Sequence, residues 1–181
     1  MSKTITAVVA IFFISIFIAK GQRIETNEID DFTGVKNTIS SWETISMANG
    51  APLYARIWKL SEGDVEVYAI DLKINNVPIM TTIDKDAEII FLFSGGGRVT
   101  LKAHEGAISN RGLGVIARAN ISQVNGINPK YPFETPNADF KTFQEQVVDR
   151  FRIYYSQGYV DYTVNNRQSR TIQNLFKLFD L

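Results

Sequence analysis

From about residue 31 to residue 124, apolar side chains recur at every second position, interrupted by short polar clusters. No other feature of the chain restricts its fold so strongly, because period two belongs to strands with one buried face. The interruptions at Ser61–Asp64, Asn75-Asn76, Asp84–Asp86, Gly95–Gly97 and Glu105–Gly114 are turn chemistry. They predict an antiparallel meander of about seven or eight strands.

Hairpin registers are constrained by the same pattern, since a slip of one residue would send every side chain to the wrong face. Around Ser61–Asp64, pairing Leu60 with Val65 sets Ile57 against Tyr68, Ala55 against Ile70 and Leu53 against Leu72. Lys59 then lies opposite Glu66, and the other face carries Trp58 with Val67 and Tyr54 with Asp71. The segment Phe91–His104 contains three glycines and the only histidine, which raises the question of a phosphate-binding loop. Such a loop needs a helix start after its glycines. Here Val99, Leu101 and Ala103 alternate with Arg98, Thr100, Lys102 and His104, so a strand follows. Gly95–Gly97 therefore reads as a hairpin loop pairing Phe93 with Val99 and setting His104 opposite Glu88. Ile90 and Leu92 fall on the polar face of this hairpin and call for cover by a helix.

Near residue 137 the period changes. Phe140, Phe143 and Val147 have helical spacing, with Thr135 as N-cap, Pro136 at the first helical position and Asp139 in the early turn. Period two returns at Val148. A two-residue Gln157-Gly158 loop pairs Phe151 with Val164, Ile153 with Tyr162 and Tyr155 with Val160, leaving Arg152 opposite Thr163 and Tyr154 opposite Asp161. Ile172, Leu175, Phe176 and Phe179 then form one helical stripe. The fold class expected is α+β, with two helices in the C-terminal third packing on the sheet.

The N-terminus adds a compartment. Lys3 precedes an almost unbroken apolar run from Ile5 to Ala19, and Ala19-Lys20-Gly21 sets small residues at a cleavage site before Gln22. That is the layout of a secretory signal peptide over residues 1–21, followed by one domain over 22–181. The run is shorter than the roughly 20 apolar residues of a membrane span, and none of spanning length follows. The expected location is periplasmic or extracellular. Zero cysteines point to a bacterial-type exported protein, since animal-type secreted domains are commonly cross-linked.

Removing residues 1–21 takes away Lys3 and Lys20 but no acid, which leaves 17 basic against 19 acidic side chains. Without a basic excess, nucleic acid is not an expected partner. One histidine and no cysteine argue against zinc and against thiol or Ser-His-Asp catalysis. Gly112–Ala117 matches a dinucleotide fingerprint but leads into Val115, Ala117, Ala119 and Ile121 at strand spacing, so no cofactor is expected. Asp84-Lys85-Asp86-Ala87-Glu88 lacks the glycine and glutamate a calcium loop needs further on. Asn120-Ile121-Ser122 is a formal glycosylation sequon.

No catalytic, cofactor or metal residue emerges. The remaining clue is aromatic: Trp42, Tyr54, Trp58, Tyr154 and Tyr159 fall outside the core in the registers above, where flat rings contact sugars or proteins. The reading is a non-enzymatic binding domain for an envelope protein or polysaccharide. The alternative is a carboxylate-dependent hydrolase acting on glycans, which needs two converging acids, one with a raised pKa.

Overall fold

The computed structural model describes residues 21–48, 50–74, 82–108, 115–124 and 137–179. The proposed leader, the Asn75-Asn76 turn, Gly112–Gly114 and the Thr135-Pro136 cap lie outside the described residues. In chain order the strands are β1 (Ile24–Ile29), β2 (Lys36–Ser40), β3 (Glu43–Ala48), β4 (Ala51–Glu62), β5 (Val65–Ile74) and β6 (Thr82–Ile83). There follow β7 (Glu88–Phe93), β8 (Arg98–Lys102), β9 (Ala107–Ile108) and β10 (Val115–Val124). Helix α1 (Asn137–Glu145), β11 (Val148–Tyr155), β12 (Gly158–Thr163) and α2 (Asn166–Lys177) complete the order. The class is α+β with antiparallel sheets.

The strands do not form one meander. A six-stranded sheet runs β1-β2-β4-β5-β10, with β3 on the same edge of β4 as β2, and a four-stranded sheet runs β12-β11-β7-β8. A short ribbon pairs β6 with β9. Strand β4 is long enough for two partners end to end: β2 pairs with Trp58–Ser61 and β3 with Ala51–Ala55. Between them Ser40 Oγ accepts the Ile57 N–H (2.9 Å) and donates to the Ser41 carbonyl (3.2 Å). That hydroxyl satisfies buried backbone at the break.

The two large sheets are joined along β8 and β10, where Ala103 bridges Ala119 and the His104 N–H donates to the Arg118 carbonyl (2.7 Å). On the far side Ser46 Oγ in β3 donates to the carbonyl of Thr163, the last residue of β12 (2.8 Å). Both sheets therefore contribute to one core. Leu53, Ala55 and Ile57 of β4 and Ile70 and Leu72 of β5 supply one wall, and Ile89, Phe91, Val99, Leu101, Phe151 and Ile153 supply the other. Phe140 and Phe143 of α1 and Ile172, Leu175 and Phe176 of α2 complete it. Helix α2 starts on a capping box, in which Asn165 Oδ1 accepts the Gln168 N–H and Gln168 Oε1 accepts the Asn165 N–H, both at 2.9 Å.

Each hairpin has the expected faces but a register displaced by two residues. Glu62 pairs with Val65 across a two-residue Gly63-Asp64 loop, so Ile57 meets Ile70 and Ala55 meets Leu72. Leu92 pairs with Arg98, which sets Phe91 against Val99 and Glu88 against Lys102 rather than His104. Tyr155 pairs with Gly158, so Phe151 meets Tyr162, Arg152 meets Asp161 and Tyr154 meets Tyr159. The triple glycine is a turn, with Gly96 at φ +83°. Ile90 and Leu92 are half-buried, and α1 lies on the opposite face, its Phe143 ring against Phe91 and Phe93. Arg152 and Arg150 of β11 stand opposite Ile90 and Leu92, where their aliphatic stems can cover apolar surface.

At the rim of β4 and β5, Lys59 Nζ reaches Glu66 Oε1 at 2.5 Å and the Tyr68 hydroxyl donates to Glu66 Oε2 at 2.7 Å. Burial pushes the Glu66 carboxyl up, but the bonds from Lys59 and Tyr68 outweigh it and hold the group below its usual range. A carboxyl lowered in the folded state stabilises the fold above its unfolded pKa, and that contribution is lost as pH falls through the folded value. Glu66→Gln should therefore flatten the stability-versus-pH curve on the acid side of about pH 4.5. Urea midpoints across that range measure it, and an unchanged slope contradicts it.

Candidate functional site

The face of the six-stranded sheet turned away from the core carries a second cluster, Trp58, Leu60, Val67 and Ala69, with Val35, Ile39 and Val65 against it. On this face β4 presents Tyr54, Arg56 and Trp58, β5 presents Asp71 and Lys73 in the paired positions, and β10 presents Ile116 and Arg118. Asp71 is fully buried. Its Oδ2 accepts Arg56 Nε (2.9 Å) and Arg118 Nη2 (3.0 Å), and its Oδ1 accepts Arg118 Nε (2.6 Å). One carboxylate thus holds two guanidiniums across three adjacent strands, using charge-assisted bonds.

Each guanidinium also lies on an indole. Arg56 Cζ is 4.4 Å from the centre of the Trp42 ring, and Arg118 Cζ is 4.6 Å from that of Trp58. Lys73 Nζ lies 5.8 Å from the same Trp42 ring. Such stacking fixes the planar cations further and is a cation–π attraction in its own right. Trp42 owes its position to the break between β2 and β3. Ser41 there accepts the Arg23 N–H (3.3 Å) and donates to Glu43 Oε1 (2.8 Å), which holds the chain as it crosses the edge of β4.

Beside this array opens a cleft of about 250 Å³ lined by Arg56, Asp71, Glu105, Gly106, Ala107, Ile116 and Arg118. The Arg56 side chain is 24% exposed and that of Arg118 36%, so both reach solvent while their acceptor does not. Arg56 commits its Nε–H to Asp71, and its terminal nitrogens have no hydrogen-bond partner among the described residues.

Of the five aromatic candidates, Trp42, Tyr54 and Trp58 are assembled here. Trp42 and Tyr54 are half-buried and Trp58 is buried beneath its neighbours. Tyr154 and Tyr159 form a separate pair on β11 and β12, ring centres 5.8 Å apart. Arg152 lies over Tyr159 (3.7 Å) and binds Asp161 through Nε (2.6 Å) and Nη2 (2.8 Å), which holds that carboxyl below its usual range. His104 is not opposite Glu88; its Nε2 is 3.9 Å from Glu105 Oε1. Arg56, Asp71 and Arg118 were not among the sequence candidates. With the β4–β5 register two residues over, Arg56 falls opposite Asp71, but no sequence signal places β10 beside β5.

Among the described residues no cluster of three His, Asp or Glu side chains could hold a metal, and no helix is long and apolar enough to cross a membrane. The carboxyl that burial raises is Asp139 in the first turn of α1, and it is not among the described residues lining the cleft. Comparison of the chain with protein-family models, curated proteins and solved structures yields no match.

Proposed function

We propose that the chain is an exported, non-enzymatic binding domain, released by cleavage of residues 1–21, that engages an envelope polysaccharide through the cleft beside Arg56, Asp71 and Arg118. The observation that carries this reading is the Trp42–Arg56–Asp71–Arg118–Trp58 array, in which planar cations are pinned at a solvent-facing cleft by a carboxylate wholly inside the protein. A rigid first layer of this kind favours recognition, because little side-chain freedom remains to be lost on binding. The size of the cleft, about 250 Å³, suits one sugar ring better than a nucleotide cofactor, whose pockets lie toward the upper end of roughly 300–1,000 Å³.

A polysaccharide is favoured over an envelope protein. A stable protein interface covers roughly 800 Å² per partner around an apolar centre. Among the described residues, the exposed large apolar side chains Ile29, Phe32, Met47, Ile108, Ile116, Val147 and Tyr159 are distributed over different elements. Binding is also favoured over glycan hydrolysis. Asp71 and Glu105 both line the cleft, but Asp71 already accepts three guanidinium hydrogen bonds, the arrangement of an anchor rather than of a proton donor.

The test is a binding screen of residues 22–181 against envelope polysaccharides and envelope proteins, repeated with Trp42→Ala. Saturable glycan binding that Trp42→Ala weakens roughly tenfold, as expected when the Arg56 guanidinium loses the ring it is stacked on, supports the reading. Release of shortened glycan, or binding to proteins alone, overturns it.

A further inference from the structure

Resting on the polysaccharide reading, we infer that the cleft is selective for a sugar bearing a carboxylate, with the Arg56 fork as the determinant of that selectivity. Of the residues lining the cleft, Arg56 and Arg118 are the cations, Asp71 is spent between them, and Lys73 lies close by over the Trp42 ring. Lys73 makes no ion pair among the described residues. A carboxylate brings one charge past Glu105 on the rim, whereas a phosphate monoester brings close to two.

Geometry selects among monoanions. The terminal nitrogens of Arg56 form a planar fork with no protein acceptor among the described residues, and the fork is held at its other side by Nε on Asp71 and by its face on Trp42. Parallel N–H donors in one plane fit the two oxygens of a carboxylate, and a lysine ammonium cannot reproduce that match. Ile116, half exposed at 50%, also lines the cleft and offers apolar surface to the carbon face of a pyranose. An acidic sugar therefore meets a charge, a fork and an apolar floor together.

Residues 22–181 should be titrated by calorimetry with a short oligogalacturonate, its fully methyl-esterified form and a sulfated oligosaccharide. The acid should bind at least tenfold more tightly than the ester, as expected for one hydrogen-bonded ion pair, and more weakly as salt is raised. Arg56→Lys should keep the charge and the fold, with a lower melting temperature from the lost Nε bond to Asp71, while losing most of that preference. Lys141→Ala, an exposed change on α1, should leave it intact. Equal affinity for acid and ester overturns the selectivity but leaves polysaccharide binding standing. Preference for the sulfated ligand overturns the carboxylate fork in favour of a tetrahedral anion. Binding of none of the three, with other glycans also silent, removes the underlying reading as well.

Discussion

Asp71→Asn should lower stability by about 3 kcal/mol, one of the two largest single-residue effects argued for this chain. The carboxylate is fully buried and accepts three bonds from two guanidiniums. Removing its charge leaves both cations without their counter-ion, and breaking a buried pair in this way typically costs about 3–5 kcal/mol. The lower end applies because Arg56 and Arg118 are 24% and 36% exposed and can regain some water. In a domain of this size the change corresponds to a fall in Tm of roughly 6–12 °C. Replacing all three partners together, Arg56→Met with Asp71→Leu and Arg118→Met, should restore stability to within about 1 kcal/mol of the parent, since apolar packing commonly equals a buried ion network. That pair of results would show that the array is not needed for stability. A loss below about 1 kcal/mol in Asp71→Asn means that the guanidiniums are solvated independently and the cleft has no fixed wall.

The three hairpins show which part of a β fold a sequence carries. Alternation decides parity, and parity was right in each: Ile57, Ala55, Ile70, Leu72, Phe91, Val99, Phe151 and Tyr162 are all in the core. Alternation is blind to a shift of two, which keeps every side chain on its face. That choice belongs to the turn. Gly63, at φ +60°, permits a loop of two residues where four polar ones suggested a longer one. Gly158, at φ +132°, opens β12 rather than sitting within the loop. Each displacement changes which polar groups meet. Arg152 gains Asp161, and Arg56 gains Asp71.

The pairing of strands far apart in sequence was not legible at all. Phe151 of β11 lies beside Phe91 of β7, and Arg118 of β10 beside Asp71 of β5. Neither partnership has a turn or a local spacing to announce it. The candidate site depends on the second of these, so the sequence could name aromatic residues on that face but not the ions between them. Trp42 and Trp58 were read as outward-facing, and they do lie outside the main core, but the cations that cover them come from β4, β5 and β10. A residue's face is a local property, and what stands on that face is a tertiary one.

The helices were legible as amphipathic stripes, except that Val147, expected on the first of them, lies beyond the end of α1 at Glu145 and is exposed; the burial of the remaining stripe residues leads to the other large effect. Phe176→Ala should cost about 4 kcal/mol. The Phe176 ring is fully buried, stacked at 4.5 Å and 8° on Phe143 and set at 5.0 Å and 64° to Phe140. Phe143 continues to Phe91 (4.9 Å) and Phe93 (5.5 Å), and Phe91 stacks on Phe151 at 5.2 Å. One ring from α2 thus connects, through α1, to the two central strands of the four-stranded sheet. Deleting it removes apolar burial and leaves a void against Phe140 and Phe143, whose rings are held by their own neighbours and cannot readily close it. Phe176→Leu keeps most of the volume and should cost less than about 1.5 kcal/mol. Combining Phe176→Ala with Phe143→Ala should cost less than the two single changes added together, by about 1 kcal/mol, because both remove the same stacked contact. Phe32→Ala, at a side chain fully exposed on the turn after β1, should stay within about 0.5 kcal/mol of the parent. Urea unfolding with unchanged m-values measures all four. A cost near 1 kcal/mol for Phe176→Ala would mean that α2 merely covers the sheets, and the single core shared by two sheets and two helices would have to be given up.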